Sequence, residues 1–156
     1  MSLQMVLADL QSKTGTETHV SDWLTIIQDR IQQFAEATGD HQWIHVDVGR
    51  AKAQSPFGVP IAHGFLTLSL IPYLTGSVDP DRPEYPEAKM GINYGLNKVR
   101  FPNPVRVGAR VRSRTTLLNA EEVKGNGIQI VKQVTIEIEG EPKPGCVADT
   151  VSRLYF

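Results

Sequence analysis

Two histidines, an aspartate and a glycine stand in a pattern that could move protons. Asp40 and His45 lie five positions apart in GDHQWIH, and a His63-Gly64 pair opens a long apolar run downstream. A carboxylate beside an imidazole can hold one water and pass protons in both directions near neutral pH. In a loop, that spacing lets both side chains converge on one small volume. Gly64 adds an electrophilic component. At the first turn of a helix its N–H is a donor without an intrahelical acceptor. At the positive end of the helix dipole, such a donor suits an oxygen that is gaining negative charge. Each residue also has a plain reading: Asp40 capping a turn, His45 a partly exposed structural histidine, Gly64 a small residue permitting a tight approach to a helix. The presence of Gly64 in addition to the other two tips the balance toward chemistry.

The chain must position these groups with rigid elements. Ile31, Phe34, Ala35 and Thr38 fall at i, i+3, i+4 and i+7 and predict a helix with one mostly apolar stripe. Gly39 follows where a left-handed C-terminal cap is expected, which would put Asp40 directly after a helix end. The start of that helix is weakly marked, because Ile27 and Gln28 are poor N-caps. From Gly64 the run FLTLSLIPYL is apolar nearly all round and predicts a helix buried on most sides, with Pro72 near its end to kink or stop it. The segment between the two helices is rich in loops, with a short helix over 48–54. GSVDPDRPEYPEAKMG holds three prolines and must be an irregular excursion. Beyond it, strands are predicted over 92–100 with a bulge at Gly95, over 107–118, over 127–140 and from 146 to the end. In the third, Ile128, Ile130, Val134, Ile136 and Ile138 share one face, with Lys132 the exception. Gly125, Asn126 and Gly127 supply the turn before it. Long antiparallel strands after an apolar helix imply an α+β arrangement, a sheet wrapped round that helix.

Length and composition narrow the function classes. At 156 residues the chain matches one domain, large enough to fold without a disulfide or metal staple. Sixteen basic against seventeen acidic residues, a formal charge of −1, lack the basic excess of a nucleic-acid binder. The one cysteine, Cys146, excludes a CxxC site and reads as a strand thiol in a reducing compartment. The first twenty residues carry Asp9 and no basic start, unlike a secretory signal. The apolar run near 65–74 is too short to span a bilayer. A cytoplasmic protein without a membrane partner is therefore expected. Asp40, His41, His45 and Asp47 are of metal-ligand type, but their spacing matches no strong metal motif, so no metal is expected. His63 is expected to fix the approach to the helix, and His19 to lie on the surface. Ser55 and Ser69 lack the G-x-S-x-G elbow of a serine nucleophile.

FAEATGDHQWIHVD followed by PIAHGFLTLSLIPYL resembles the MaoC-like dehydratases, the R-specific enoyl-CoA hydratases of the hot-dog fold, and the HQWIH variant is most similar to the branch of nodulation protein N-like proteins. The similarity continues through KVRFPNPVRVGARV and covers most of the chain. The resemblance implies one hot-dog domain and a homodimer whose joined sheets complete a substrate tunnel. It places the family's catalytic Asp and His, in D-x4-H, on Asp40 and His45, and its oxyanion glycine on Gly64. The implied activity is hydration of trans-2-enoyl thioesters to R-3-hydroxyacyl thioesters. There is no separate cofactor, since coenzyme A is part of the substrate. Two departures stand out. Gln42-Trp43 replaces the Asn-Pro of many hydratases, and Pro72 stands where some carry a serine.

Between positions 98 and 114 lie six basic residues and no acidic one. They could meet the phosphates of coenzyme A, or form a solvated sheet face. If the hairpin turn centres between Gly125 and Asn126, Arg114 opposes Glu137, Arg112 opposes Glu139 and Arg110 opposes Glu141. That leaves Lys98, Arg100 and Arg106 as phosphate candidates. The substrate would be an acyl-CoA, or the same thioester on acyl carrier protein. Two rival readings remain open: a hot-dog acyl-CoA thioesterase, and a non-catalytic module that binds acyl thioesters.

Overall fold

The computed structural model describes residues 2–156. Six antiparallel strands form one sheet: β1 (Glu17–Val20), β2 (Leu24–Thr25), β3 (Met90–Arg100), β4 (Arg110–Val123), β5 (Gly127–Ile138) and β6 (Cys146–Tyr155). The order is β1-β4-β5-β6-β3, with β2 also paired to β4. Six helices accompany it: α1 (Leu3–Ser12), α2 (Gln28–Thr38), α3 (Trp43–Val46), α4 (Val48–Gln54), α5 (Gly64–Ser69) and α6 (Ile71–Leu74). The α+β arrangement is the one expected.

One face of β5 carries the core. Its even-numbered residues meet two apolar clusters. Val134, Ile136 and Ile138 pack with Leu66, Leu70, Ile71 and Leu74 of the α5–α6 segment, and with Cys146 and Ala148 of β6. Ile128 and Ile130 pack with Leu3, Val6, Leu7 and Leu10 of α1. The sequence shows only a short apolar patch where α1 lies. Its apolar residues fall at i, i+3, i+4 and i+7, and the Ser2 hydroxyl caps it by accepting from the Met5 N–H.

The apolar run from Gly64 is two short helices, not one. Pro72 has no N–H to offer the Leu68 carbonyl. The Leu70 N–H bonds the carbonyls of both Leu66 (3.1 Å) and Thr67 (3.3 Å), and the two helices meet at this αR residue. Nor is the segment buried on most sides. Phe65 and Tyr73 are 66% and 61% exposed in the isolated chain, so one apolar face is open.

The β4–β5 hairpin shifts the expected charge pairs by two residues. Strand pairing closes at Val123 opposite Gly127, around a connection in which Gly125 and Asn126 both have positive φ (87° and 60°). Leu118 is then bulged out, which moves the register once more. Arg112 therefore opposes Glu137, not Glu139 (Nε–O 2.6 Å), Arg110 pairs with Glu139, not Glu141 (3.0 Å), and Arg114 bridges Glu137 (2.6 Å) and Glu17 (3.0 Å). A shift of two keeps every side chain on its face, so the charge ladder survives: Arg114 still reaches its expected partner Glu137, while Arg112 and Arg110 change theirs. Burial alone would raise the Glu137 carboxyl, but hydrogen bonds from Arg112 and Arg114 hold it below its ordinary value.

Strand β4 starts at Arg110 rather than 107, because Gly108 turns the chain at φ 85°. Strand β3 is an open sheet edge, irregular on both sides of Gly95–Leu96, with Met90, Ile92, Tyr94 and Leu96 all exposed. No helix among the described residues is long and apolar enough to cross a membrane.

Candidate active site

Helix α2 ends as its sequence predicts. Gly39 takes the left-handed conformation (φ 81°), and its N–H bonds the Ala35 carbonyl. Asp40 comes next, exposed, and its Oδ1 accepts from the Gln42 N–H at 3.2 Å, closing a small turn. The chain then makes the single turn α3, which carries His45. The Gln28 side-chain amide donates to the His45 carbonyl (2.8 Å), tying α3 to the first turn of α2.

His45 is 6% exposed and its Nδ1 lies 2.7 Å from the Ile61 carbonyl oxygen. A carbonyl can only accept, so Nδ1 carries the proton and the Nε2 lone pair of the neutral ring is free. The 60–62 segment that presents this carbonyl is itself clamped. Ala62 donates to Val105 (2.8 Å), Val107 donates to Pro60 (2.9 Å), and Ile61 donates to Ile44 (3.1 Å). Burial pushes the His45 imidazole below its ordinary value. The Ile61 bond opposes this, His63 adds to it, and Asp40 opposes it weakly. His45 is thus a neutral base near pH 7.

His63 occupies the centre of the site. Its ring is 2% exposed, stacks on His45 at 3.9 Å and 25°, and meets Phe34 on a tilt at 4.9 Å. Its Nε2 lies 2.9 Å from the Asp40 backbone oxygen, so Nε2 donates there. The ring thereby links the backbone of Asp40 to the ring of His45, and among the described residues it makes no capping bond to the helix that follows. Ligand-type atoms of Asp40, His45 and His63 all fall within 4.8 Å of one another. Each ring already spends one nitrogen on a carbonyl, and the stacked rings hold their remaining lone pairs in nearly parallel planes, a poor arrangement for one tetrahedral ion. The four-residue cluster first weighed as a metal site does not form. His41 faces Glu36 (4.0 Å), and Asp47 caps α4 by accepting from the Arg50 N–H (2.9 Å).

Gly64 begins α5, and among the described residues its N–H has no acceptor. Because α5 has only six residues, the dipole expected of one long helix is much reduced, and the N–H itself is the donor that counts. A Cβ on Gly64 would stand 3.1 Å from the Phe101 ring, so the phenyl lies directly over the glycine. Phe101 in turn meets Phe65 edge to face at 6.0 Å. Sequence reasoning missed Phe101 and the Ile61 carbonyl. The first is brought in by β3 from far along the chain, and the second is a backbone group without a sequence signature.

The three phosphate candidates lie on two segments of the chain. Lys98 and Arg100 flank Val99, which packs toward the core, so both leave the opposite face of β3. Arg100 stands one residue before Phe101. Arg106 lies beside Ile61 on the clamped segment, with its Nε 3.5 Å from the Phe57 carbonyl. None of the three forms an ion pair among the described residues.

A groove of about 680 Å³ runs between the α5–α6 segment and β3, lined by Leu68, Pro72, Ile92, Leu96 and Val134 among others. Asp40 and His45 are not in its walls. Gly64, Leu68 and Pro72 nevertheless fall at i, i+4 and i+8, a stripe about 12 Å long that leads from the glycine into the groove.

The chain matches the family described as "MaoC like domain" over residues 9–139. It is 48% identical to 3-hydroxyacyl-thioester dehydratase Z of Mycobacterium tuberculosis, over 94% of each chain. It is 44% identical to nodulation protein N of Rhizobium meliloti, over 98% of this chain and 93% of that one. The crystal structure of a MaoC-like dehydratase from Rhodospirillum rubrum superposes with a TM-score of 0.71 at 23% identity, over 91% of this chain and 92% of that one. The fold is the hot-dog fold implied by the sequence resemblance.

Proposed function

The chain belongs to the MaoC-like domain family, and from that premise we propose that it adds water to trans-2-enoyl thioesters to give R-3-hydroxyacyl thioesters. The observation that carries this reading is the neutral, oriented His45. Its Nδ1–H is committed to Ile61, its Nε2 lone pair is free, and a carboxylate oxygen of Asp40 lies within 4.8 Å of one of its ring nitrogens. The two groups are close enough for one water to bond both.

The substrate carbonyl oxygen would take the Gly64 N–H. The Asp40–His45 pair holds the water, takes one of its protons as the hydroxyl bonds to the β-carbon, and returns a proton to the α-carbon. The pair ends as it began, and the reaction needs no electron carrier. Negative charge on the thioester oxygen is greatest in the enolate-like transition state, where one well-placed N–H is worth about 3–4 kcal/mol of barrier. The acyl chain would follow the Gly64–Leu68–Pro72 stripe into the apolar groove.

The same reading includes a homodimer. An open edge strand with Ile92, Tyr94 and Leu96 exposed offers apolar surface and unpaired backbone that a second copy would cover. In this reading the carrier is coenzyme A, or acyl carrier protein bearing the same thioester, in the cytoplasm, with Lys98, Arg100 and Arg106 as candidate phosphate contacts. The test is loss of conjugated-thioester absorbance from crotonyl-CoA, with the product resolved on a chiral column. R-3-hydroxybutanoyl-CoA is expected. Release of free thiol from a saturated acyl-CoA would indicate a thioesterase instead, and binding without turnover a carrier module.

A further inference from the structure

Lys132 is the anomaly of the inward face of β5. Ile128 and Ile130 on one side of it belong to the α1 cluster, and Val134, Ile136 and Ile138 on the other belong to the α5–α6 cluster. The lysine therefore stands in the seam between two apolar clusters, with its side chain 13% exposed. Its ammonium is ion-paired with Glu84, from the proline-rich excursion, and lies 5.3 Å from the centre of the Tyr85 ring. Burial, reinforced by the adjacent Glu84 carboxylate, drives the Tyr85 hydroxyl far above its ordinary value, so the ring is a neutral wall at any working pH.

These three residues have two cavities in contact with them. The apolar groove of about 680 Å³ reaches Lys132, Glu84 and Tyr85 from the α5–α6 side. A second cavity of about 470 Å³, edged by Asp9, Lys13 and Glu17, reaches the same three from the α1 side. Glu84 is exposed, and an ion pair with one partner in water contributes little to stability. Stability alone thus gives little reason for a lysine here. A methyl-terminated chain advancing along the groove would meet a charged pair that it can neither solvate nor displace cheaply.

We propose that the Lys132–Glu84 pair, roofed by Tyr85, is a partition that closes the inner end of the groove and sets the longest acyl chain the protein accepts. This rests on the groove being the acyl site of the hydratase reading. The partition separates the groove from a second cavity that could house further methylenes once it is opened.

The experiment compares wild type with Lys132→Ala and Tyr85→Ala, which open the wall from its two sides, and with Lys132→Met, which keeps it filled. Rates of hydration are measured for trans-2-enoyl-CoAs from four to sixteen carbons. Binding of the saturated acyl-CoAs of the same lengths is measured by calorimetry. Each methylene that an apolar pocket can admit is worth roughly tenfold in kcat/KM. The two alanine variants should gain at least about tenfold on chains beyond the wild-type limit, measured relative to each variant's own rate on crotonyl-CoA. Lys132→Met, which keeps the volume without the charge, should shift the limit less than Lys132→Ala. The binding series should show the same displaced limit. If wild type binds the series but turns over none, the hydratase reading fails and the binding limits alone decide the partition. Parallel length profiles in wild type and both alanine variants would overturn the partition, as would a wild type that binds no acyl-CoA at all.

Discussion

Replacing Asp40 by Asn separates chemistry from architecture, because the turn needs only an acceptor at Oδ1. Oδ1 accepts from the Gln42 N–H at 3.2 Å and shapes the turn. An asparagine keeps that acceptor, and Asp40 is exposed, so the stability cost should stay within about 0.5 kcal/mol, as for ordinary surface changes. What asparagine cannot do is take a proton. If Asp40 and His45 act on one water, kcat for crotonyl-CoA should fall at least about a hundredfold, which is about 2.7 kcal/mol of barrier. His45→Gln is a contrasting case. It removes a 2.7 Å bond to Ile61 inside the protein and strands a buried carbonyl, at a cost of about 1–3 kcal/mol. Its Tm should fall by several degrees, at about 2–4 °C per kcal/mol for a chain of this size, while Asp40→Asn should melt with wild type. Residues that work as a unit are strongly non-additive, so the double variant should be little slower than the slower single one. The assay is absorbance loss of the conjugated thioester, run beside a thermal melt. Near-full activity in Asp40→Asn would refute the shared-water mechanism. Activity losses that multiply in the double variant would show that the two residues act independently.

Gly64→Ala has no backbone strain to fear, but its methyl would press on the Phe101 ring at 3.1 Å. It should lower both Tm and kcat/KM, and Phe101→Ala added to it should restore the Tm but not the activity. His45 is buried with its imidazole held below 6.5, so the unfolded chain binds that proton first. Its contribution to stability is present above pH 6.5 and lost as pH falls through the lowered folded value. The acid limb of kcat/KM should accordingly lie below pH 6.5, and a limb above it would contradict the burial argument. Arg112→Ala removes a half-buried ion pair to Glu137 and a guanidinium 4.3 Å from the Trp23 ring. It should cost about 1 kcal/mol in chemical denaturation and leave KM for crotonyl-CoA unchanged. Light scattering should give twice the chain mass at micromolar concentration, and a monomer there would count against the β3 dimer.

Much of the scaffold is legible in the chain because it rests on local rules. The helix before Asp40 follows from the spacing of Ile31, Phe34 and Ala35, and its end from Gly39, since both depend only on neighbours within a turn. The inward face of β5 follows from strict alternation, with Lys132 conspicuous as the one interruption. The charge ladder was legible as a face but not as a set of pairs. Parity is a property of each strand, whereas partners depend on how the Gly125–Asn126 connection closes and on a bulge at Leu118 that no local signal marks. Likewise Pro72 announced a break, but its consequence, a shortened α5 with much less dipole behind Gly64, depended on how the helix fitted the sheet. D-x4-H and His-Gly marked the candidate residues.

Tertiary structure decided their state. His45 is neutral, with Nε2 free, because burial and a carbonyl from residue 61 fix its tautomer. Asp40 and His45 stay in register because His63 stacks on one and bonds the backbone of the other. Phe101 covers Gly64 because β3 returns to the head of α5 from another part of the sheet. Spacing along a chain can bring residue types to the same neighbourhood. Protonation, tautomer and a clear approach for substrate depend on the dielectric and the backbone groups around a side chain, and these are assembled only when distant segments pack together.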